Sequence, residues 1–166
     1  IYILHVNETI FDFVESMLLS LGNRTFDFLI SSDEWHIVTK TLNPKINYIK
    51  ANYGYELWLR FSEESSGWFT IERYFTDFNV TGFQSFIVRV FGNASGVNIL
   101  LEAYYESGKV SGRIVQFSTN EFWVSVPLLQ GEVLKKLRLS IYSNDPLESN
   151  CFIALKYMVL MEGFSD

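Results

Sequence analysis

The sequence predicts a mostly β chain, an antiparallel β-sandwich or jelly roll preceded by one helix near the N-terminus. Two observations carry this. Its 15 Phe, 9 Tyr and 4 Trp run together with Val and Ile, a composition that suits a pleated, half-buried surface better than a helix bundle. From Thr25 onward, apolar and polar residues alternate with period two in short segments bounded by turn residues, with no second helical pattern. At 166 residues one core suffices, so a single domain is expected over 1–166, with 1–24 as a strand-helix lead-in and 25–166 as the sandwich.

The elements follow in order. Residues 1–6 read as a short strand, and Asn7 or Thr9 caps a helix that runs to about Leu21 and ends at Gly22. Ile10, Phe11, Phe13, Val14, Met17, Leu18 and Leu21 recur there at three- and four-residue spacing, so the helix carries one broad apolar stripe. That stripe packs on the β domain or on a partner: the rest of a parent polypeptide or another protein. Strands are expected at 25–30, 35–42, 46–51, 55–62, 68–75, 84–91, 97–105, 112–118, 121–127, 136–142 and 152–160. Ser65-Ser66-Gly67, Gly92 to Gly96, Glu106-Ser107-Gly108, Ser111-Gly112 and Ser143-Asn144-Asp145-Pro146 mark turns between them.

Composition excludes several functions. The net charge is −6, and the 13 basic residues are scattered among 19 acidic ones, so no basic stripe exists to hold nucleic acid. No apolar run is long enough to span a membrane as a helix. The chain opens at Ile1, which points to a signal peptide, membrane span or domain ahead of it. One cysteine permits no internal disulfide, Cys151 is expected to pack, and two histidines offer little to a metal; no metal or cofactor is expected. Asn7, Asn23, Asn79 and Asn93 each head a glycosylation triplet, more than chance composition would produce. Glycosylation without disulfides points outside the cytoplasm, to a cell surface, and fits an archaeal one better than a eukaryotic secreted protein.

From Trp35 to Leu160 a series of motifs falls in a telling order. Tyr55 to Phe61 leads into Gly67-Trp68-Phe69-Thr70-Ile71-Glu72-Arg73-Tyr74-Phe75, then Val80-Thr81-Gly82-Phe83 and a strand to Gly92. Asn98 to Tyr104, Phe122-Trp123-Val124-Ser125-Val126-Pro127-Leu128, Leu137 to Tyr142 and Phe152 to Leu160 complete it. This order resembles the carbohydrate-binding modules of the galactose-binding-like jelly-roll superfamily, which implies that fold and a carbohydrate partner. The superfamily commonly carries paired acidic residues on its last strand that help hold calcium; the matching positions here are Lys156 and Tyr157, which argues against that site.

Catalysis finds little support. Glu56, Glu72 and Glu102 lie on expected strands, but no nucleophile elbow, phosphate loop or paired-histidine motif is present. Sugar binding needs flat apolar rings for stacking and planar polar groups for the hydroxyls. Alternation sends Glu56, Trp58 and Arg60 opposite to Leu57, Leu59 and Phe61, and Asn98, Glu102 and Tyr104 opposite to Ile99, Leu101 and Ala103. If these outward sides coincide, Trp58, Tyr104 and Tyr142 stack on sugar while Arg60, Glu102, Gln116 and Arg138 hydrogen-bond it. Trp35, Trp68 and Trp123 are expected in the core or at its rim. The expected function is therefore non-catalytic carbohydrate binding outside the cell, as part of a larger surface protein. The alternative is a structural or protein-interaction domain, with the helix stripe and aromatic face against other protein.

Overall fold

Alternation of apolar and polar residues is realised as twelve strands in the computed structural model, which describes residues 2–5, 26–28, 34–51, 54–61, 66–94, 96–117, 122–147 and 150–162. In chain order they are β1 (Tyr2–His5), β2 (Phe26–Phe28), β3 (His36–Lys40), β4 (Lys45–Ala51), β5 (Gly54–Phe61) and β6 (Gly67–Asn79). There follow β7 (Phe83–Gly92), β8 (Asn98–Tyr105), β9 (Val110–Gln116), β10 (Phe122–Pro127), β11 (Val133–Ser143) and β12 (Cys151–Glu162). Every expected strand has a counterpart within a few residues of its expected ends, but Ser111-Gly112, expected as a turn, lies inside β9, paired with Ala103 and Glu102. The expected helix, and the Asn7 and Asn23 triplets, lie outside the described residues.

The strands form two antiparallel sheets. One runs β1-β10-β7-β12-β5-β4, with β2 also paired to β12; the other runs β3-β6-β11-β8-β9. Inward residues of both sheets meet in one core: Leu57, Leu59 and Phe61 of β5 and Val88 and Val90 of β7 join Ile99 and Leu101 of β8 and Leu137 and Leu139 of β11. Each such side chain stabilises the fold by roughly 1.5–3 kcal/mol through burial. The sheets therefore pack face to face, and each turns an outer face away from the core. Cys151 packs in this core as expected.

Two details fix the outer face of the five-stranded sheet. The register of β11 against β6 and β8 is continuous from Lys136 to Tyr142 and shifts between Leu134 and Lys136, where Asp77 of β6 adopts φ 53°. This irregularity ends the regular face at the row Tyr74–Lys136–Tyr104. At the other end Gly67 adopts φ 118°, and a Cβ there would lie 2.5 Å from the Thr41 hydroxyl. Glycine lets Thr41 come close enough for its Oγ1 to accept from the Trp68 N–H (2.8 Å) and donate to the Trp68 carbonyl (3.2 Å). The Leu42 N–H donates to the same carbonyl at 2.9 Å, so the backbone beneath Trp68 is held from both sides.

Candidate functional site

Register places the outward residues of the five-stranded sheet in rows that cross the strands. Trp68, Tyr142, Asn98 and Gln116 form one row; Thr70, Ser140, Leu100 and Ile114 the next; and Glu72, Arg138, Glu102 and Gly112 the third. Tyr74, Lys136 and Tyr104 follow beyond. Thr70 and Ser140 are short and buried between taller rows, and their hydroxyls hydrogen-bond each other at 3.1 Å. They floor a trough on β6 and β11 between the rows on either side, and the same row continues as Leu100 on β8 and the exposed Ile114 on β9.

One wall of the trough is aromatic. Trp68 stacks on Tyr142 with centroids 4.2 Å apart and planes 17° apart, yet remains 41% exposed. The other wall is a charge network. Glu72, only 2% exposed, accepts from Arg138 Nε (2.8 Å), Lys136 Nζ (2.9 Å) and the Tyr74 hydroxyl (3.0 Å). Arg138 Nη1 donates to the Tyr104 hydroxyl at 2.9 Å and lies 4.0 Å from Glu102 Oε1; Tyr104 donates to Glu102 Oε2 at 2.8 Å. The guanidinium of Arg138 and the ammonium of Lys136 each sit 4.8 Å from the Tyr104 ring centroid.

The ionisation of these groups follows from their neighbours. Burial pushes the Glu72 carboxyl up, but donors from Lys136, Arg138 and Tyr74 outweigh it and hold the carboxyl below its ordinary value. Burial, the bond to Glu102 and the charge of Glu102 push the Tyr104 hydroxyl up to about 12. Burial works against the Arg138 charge, and the bond and charge of Glu72 overcome it, raising Arg138 above its ordinary value.

Beyond the aromatic wall an open pocket of about 470 Å³ continues the surface. Asn98 and Gln116 belong to both, and Asn93, Ser143, Asn144 and Asp145 add polar groups. Asn93 is exposed, and its Oδ1 accepts from the Phe152 N–H at 2.8 Å. Asn79, the other described acceptor asparagine, is exposed at the end of β6, where its Oδ1 accepts from the N–H and hydroxyl of Thr81.

Of the seven residues singled out for sugar binding, Glu102, Tyr104, Gln116, Arg138 and Tyr142 share this face. Trp58 and Arg60 do not join them: both point outward from β5, in the seven-stranded sheet on the far side of the core. Trp58 is half-buried there, stacked on Phe152 (5.3 Å, 16°) and edge-on to Phe91 (5.1 Å, 88°). Glu56 beside it takes the Trp58 indole N–H at 3.2 Å and pairs with Lys156 at 3.3 Å, and Lys156 lies 4.4 Å from the Phe91 centroid. Trp35 is buried in the core as expected; Trp123 is buried on the outward side of β10, where Val124 and Val126 take the core side, and Trp68 is exposed. Phe69 and Ile71 take the core side of β6, so alternation turns Trp68, Thr70, Glu72 and Tyr74 outward. The same pattern applied to β6 as to β5 and β8 would have placed Trp68 and Tyr74 on the face from sequence. Among the described residues no cluster of His, Cys, Asp and Glu is arranged to hold a metal ion.

Neither a protein-family model nor a curated protein sequence matches this chain. Solved structures match its fold. One is the family 11 carbohydrate-binding module from Clostridium thermocellum, in complex with a β-1,3-1,4-mixed-linked tetrasaccharide. Its TM-score is 0.55 at 9% identity, over 86% of this chain and 97% of that one. A family 61 module in complex with β-1,4-galactotriose has TM-score 0.50 at 15% identity, over 78% and 90% of the two chains. An exo-β-agarase has TM-score 0.57 at 10% identity, over 85% of this chain and 25% of the enzyme. The chain thus shares the jelly-roll fold of carbohydrate-binding modules.

Proposed function

We propose that this chain is a non-catalytic carbohydrate-binding module, working outside the cytoplasm as one domain of a larger protein, with the trough on the five-stranded sheet as its sugar site. The observation that carries this is the pairing, across one open trough, of the exposed Trp68–Tyr142 stack with a wall of planar, hydrogen-bonding side chains. Sugar rings have apolar faces that stack on aromatics and equatorial hydroxyls that bond at the edge, so a chain lying along the trough meets both at once. Asn98 and Gln116 extend the polar edge toward the pocket.

The neighbouring folds support this reading: two were solved holding oligosaccharides, and in the agarase the match spans a quarter of a larger enzyme. Glycoside hydrolysis needs one carboxyl with a raised pKa to act as acid. Glu72 is instead held low, and Glu102 accepts the Tyr104 hydroxyl beside Arg138, which supports binding without catalysis. Exposed acceptor asparagines at Asn79 and Asn93 fit an extracytoplasmic location.

The test is affinity electrophoresis against a panel of soluble polysaccharides, with Trp68→Ala and Tyr104→Ala variants whose melting remains cooperative. Native protein is expected to be retarded by at least one polysaccharide. Trp68→Ala should lose on the order of 2 kcal/mol of that affinity, about thirtyfold. Equal retardation of native and folded variants removes the trough as the site, and no retardation by any polysaccharide favours a protein-interaction role.

A further inference from the structure

The charges on the sugar-facing wall are paired with one another, so a charged ligand has to compete with the wall's own counter-ions for them. Four charged side chains stand in the trough's wall and the row beyond it: Glu72, Glu102, Lys136 and Arg138, whose formal charges sum to zero. Glu72 is nearly inaccessible, with only 3% of its side chain exposed, and it holds both cations through one oxygen, Oε2. Arg138 spends a second donor on Tyr104, whose hydroxyl is in turn committed to Glu102. Drawing Lys136 or Arg138 toward an incoming carboxylate or sulfate would strip a counter-ion from a buried carboxylate, which is strongly unfavourable. A neutral hydroxyl makes no such demand: it accepts from the remaining Lys136 or Arg138 protons and donates to Glu102 while the network stays intact. Asp145 at the pocket and the chain's net charge of −6 add to the repulsion of anions.

Resting on the carbohydrate reading above, we infer that the trough selects neutral glycans and rejects uronic-acid or sulfated ones, and that Glu72 sets this selectivity by occupying both cations. Glu72 acts here as a specificity-determining residue that touches Lys136 and Arg138, not the sugar. Replacing it with the near-isosteric neutral amide leaves a face with net charge +1, in which Lys136 is released and Arg138 keeps only Glu102 as a counter-ion, at 4.0 Å.

The experiment compares native protein and Glu72→Gln on a neutral β-1,3-1,4-glucan, a neutral β-1,4-galactan and polygalacturonate, each at about 0.05 and 0.5 M NaCl, across which screening becomes nearly complete. Native protein is expected to bind at least one neutral polymer with less than a twofold change between the two salts, and to ignore polygalacturonate. Glu72→Gln is expected to gain polygalacturonate binding at least tenfold above native at low salt, and to lose it at high salt. Native binding to polygalacturonate, or a tenfold salt loss on a neutral polymer, overturns the inference while leaving carbohydrate binding in place. A Glu72→Gln protein that folds but gains nothing overturns the role of Glu72. No binding by native protein to any of the three polymers overturns neutral selectivity as well. If Glu72→Gln does not fold, Glu102→Gln, which gives the same net charge of +1 while Glu72 still holds both cations, tests the role of Glu72: no gain on polygalacturonate is expected, and a tenfold gain at low salt overturns it.

Discussion

The two outer faces of the sandwich are built from the same residue types and use them differently. On the seven-stranded sheet Trp58, Phe91 and Phe152 pack on one another, Glu56 and Lys156 close over them, and Arg89, Trp123 and Ser125 are buried although they point away from the core. On the five-stranded sheet the rings are spread along the rims of a trough with its floor in short hydroxyl side chains, and Trp68 and Tyr74 stay 41% and 55% exposed. An outward aromatic therefore has two fates. Where neighbouring strands also offer rings, it becomes a second small core; where they offer Thr, Ser, Asn and Gln, its face remains open to a ligand.

The sharpest way to break this contrast is to truncate the two tryptophans in parallel. Trp58→Ala removes a half-buried ring between two others and is expected to cost about 2–3 kcal/mol of stability, a fall in Tm of roughly 5–10 °C, with glycan affinity unchanged. Trp68→Ala gives up one exposed stack, about 1 kcal/mol, and should barely move Tm while affinity collapses. Differential scanning calorimetry beside the binding assay reads both. Equal Tm losses would erase the distinction between the faces.

A smaller effect comes from the charge network. The folded Glu72 carboxyl is held below its ordinary 4.5, so its contribution to stability is fully present above that pH and is lost as the pH falls through the depressed folded value. The Tm advantage of native protein over Glu72→Gln should be flat above pH 4.5 and shrink below it. Tyr104 runs the other way: its hydroxyl is raised from 10.0 to about 12, so the advantage of native over Tyr104→Phe should persist below pH 10 and vanish as the pH climbs toward 12. Advantages that move in the opposite directions would mean the network is not formed in solution.

How much of this was legible in the sequence follows from what alternation encodes. Period two tells which side of a strand faces the core, and the inward residues it gives on β5 and β8, Leu57, Leu59, Phe61, Ile99, Leu101 and Ala103, are all buried. It does not tell to which sheet a strand belongs. Trp58 and Tyr104 both point away from the core, and only the pairing of β5 with β12 and of β8 with β11 puts the core between them. Trp68 is hard to place for a different reason: tryptophan is usually buried, a tendency that opposes the pattern of Phe69 and Ile71 on either side of Thr70. The pairing of Glu72 with both Lys136 and Arg138 is a contact between residues more than sixty positions apart, which no local spacing reveals.

The central claim is that sugar meets the five-stranded sheet and not the seven-stranded one, and the two tryptophans report on it separately. In a ¹H–¹⁵N spectrum each described tryptophan contributes one indole N–H signal. Titration with a neutral polysaccharide fragment that the native protein binds should move the Trp68 indole signal and the backbone amides around Tyr104, Gln116, Arg138 and Tyr142, while the Trp58 indole, bonded to Glu56, stays in place. Shifts centred on Trp58, Phe91 and Phe152, with Trp68 unmoved, would contradict the account.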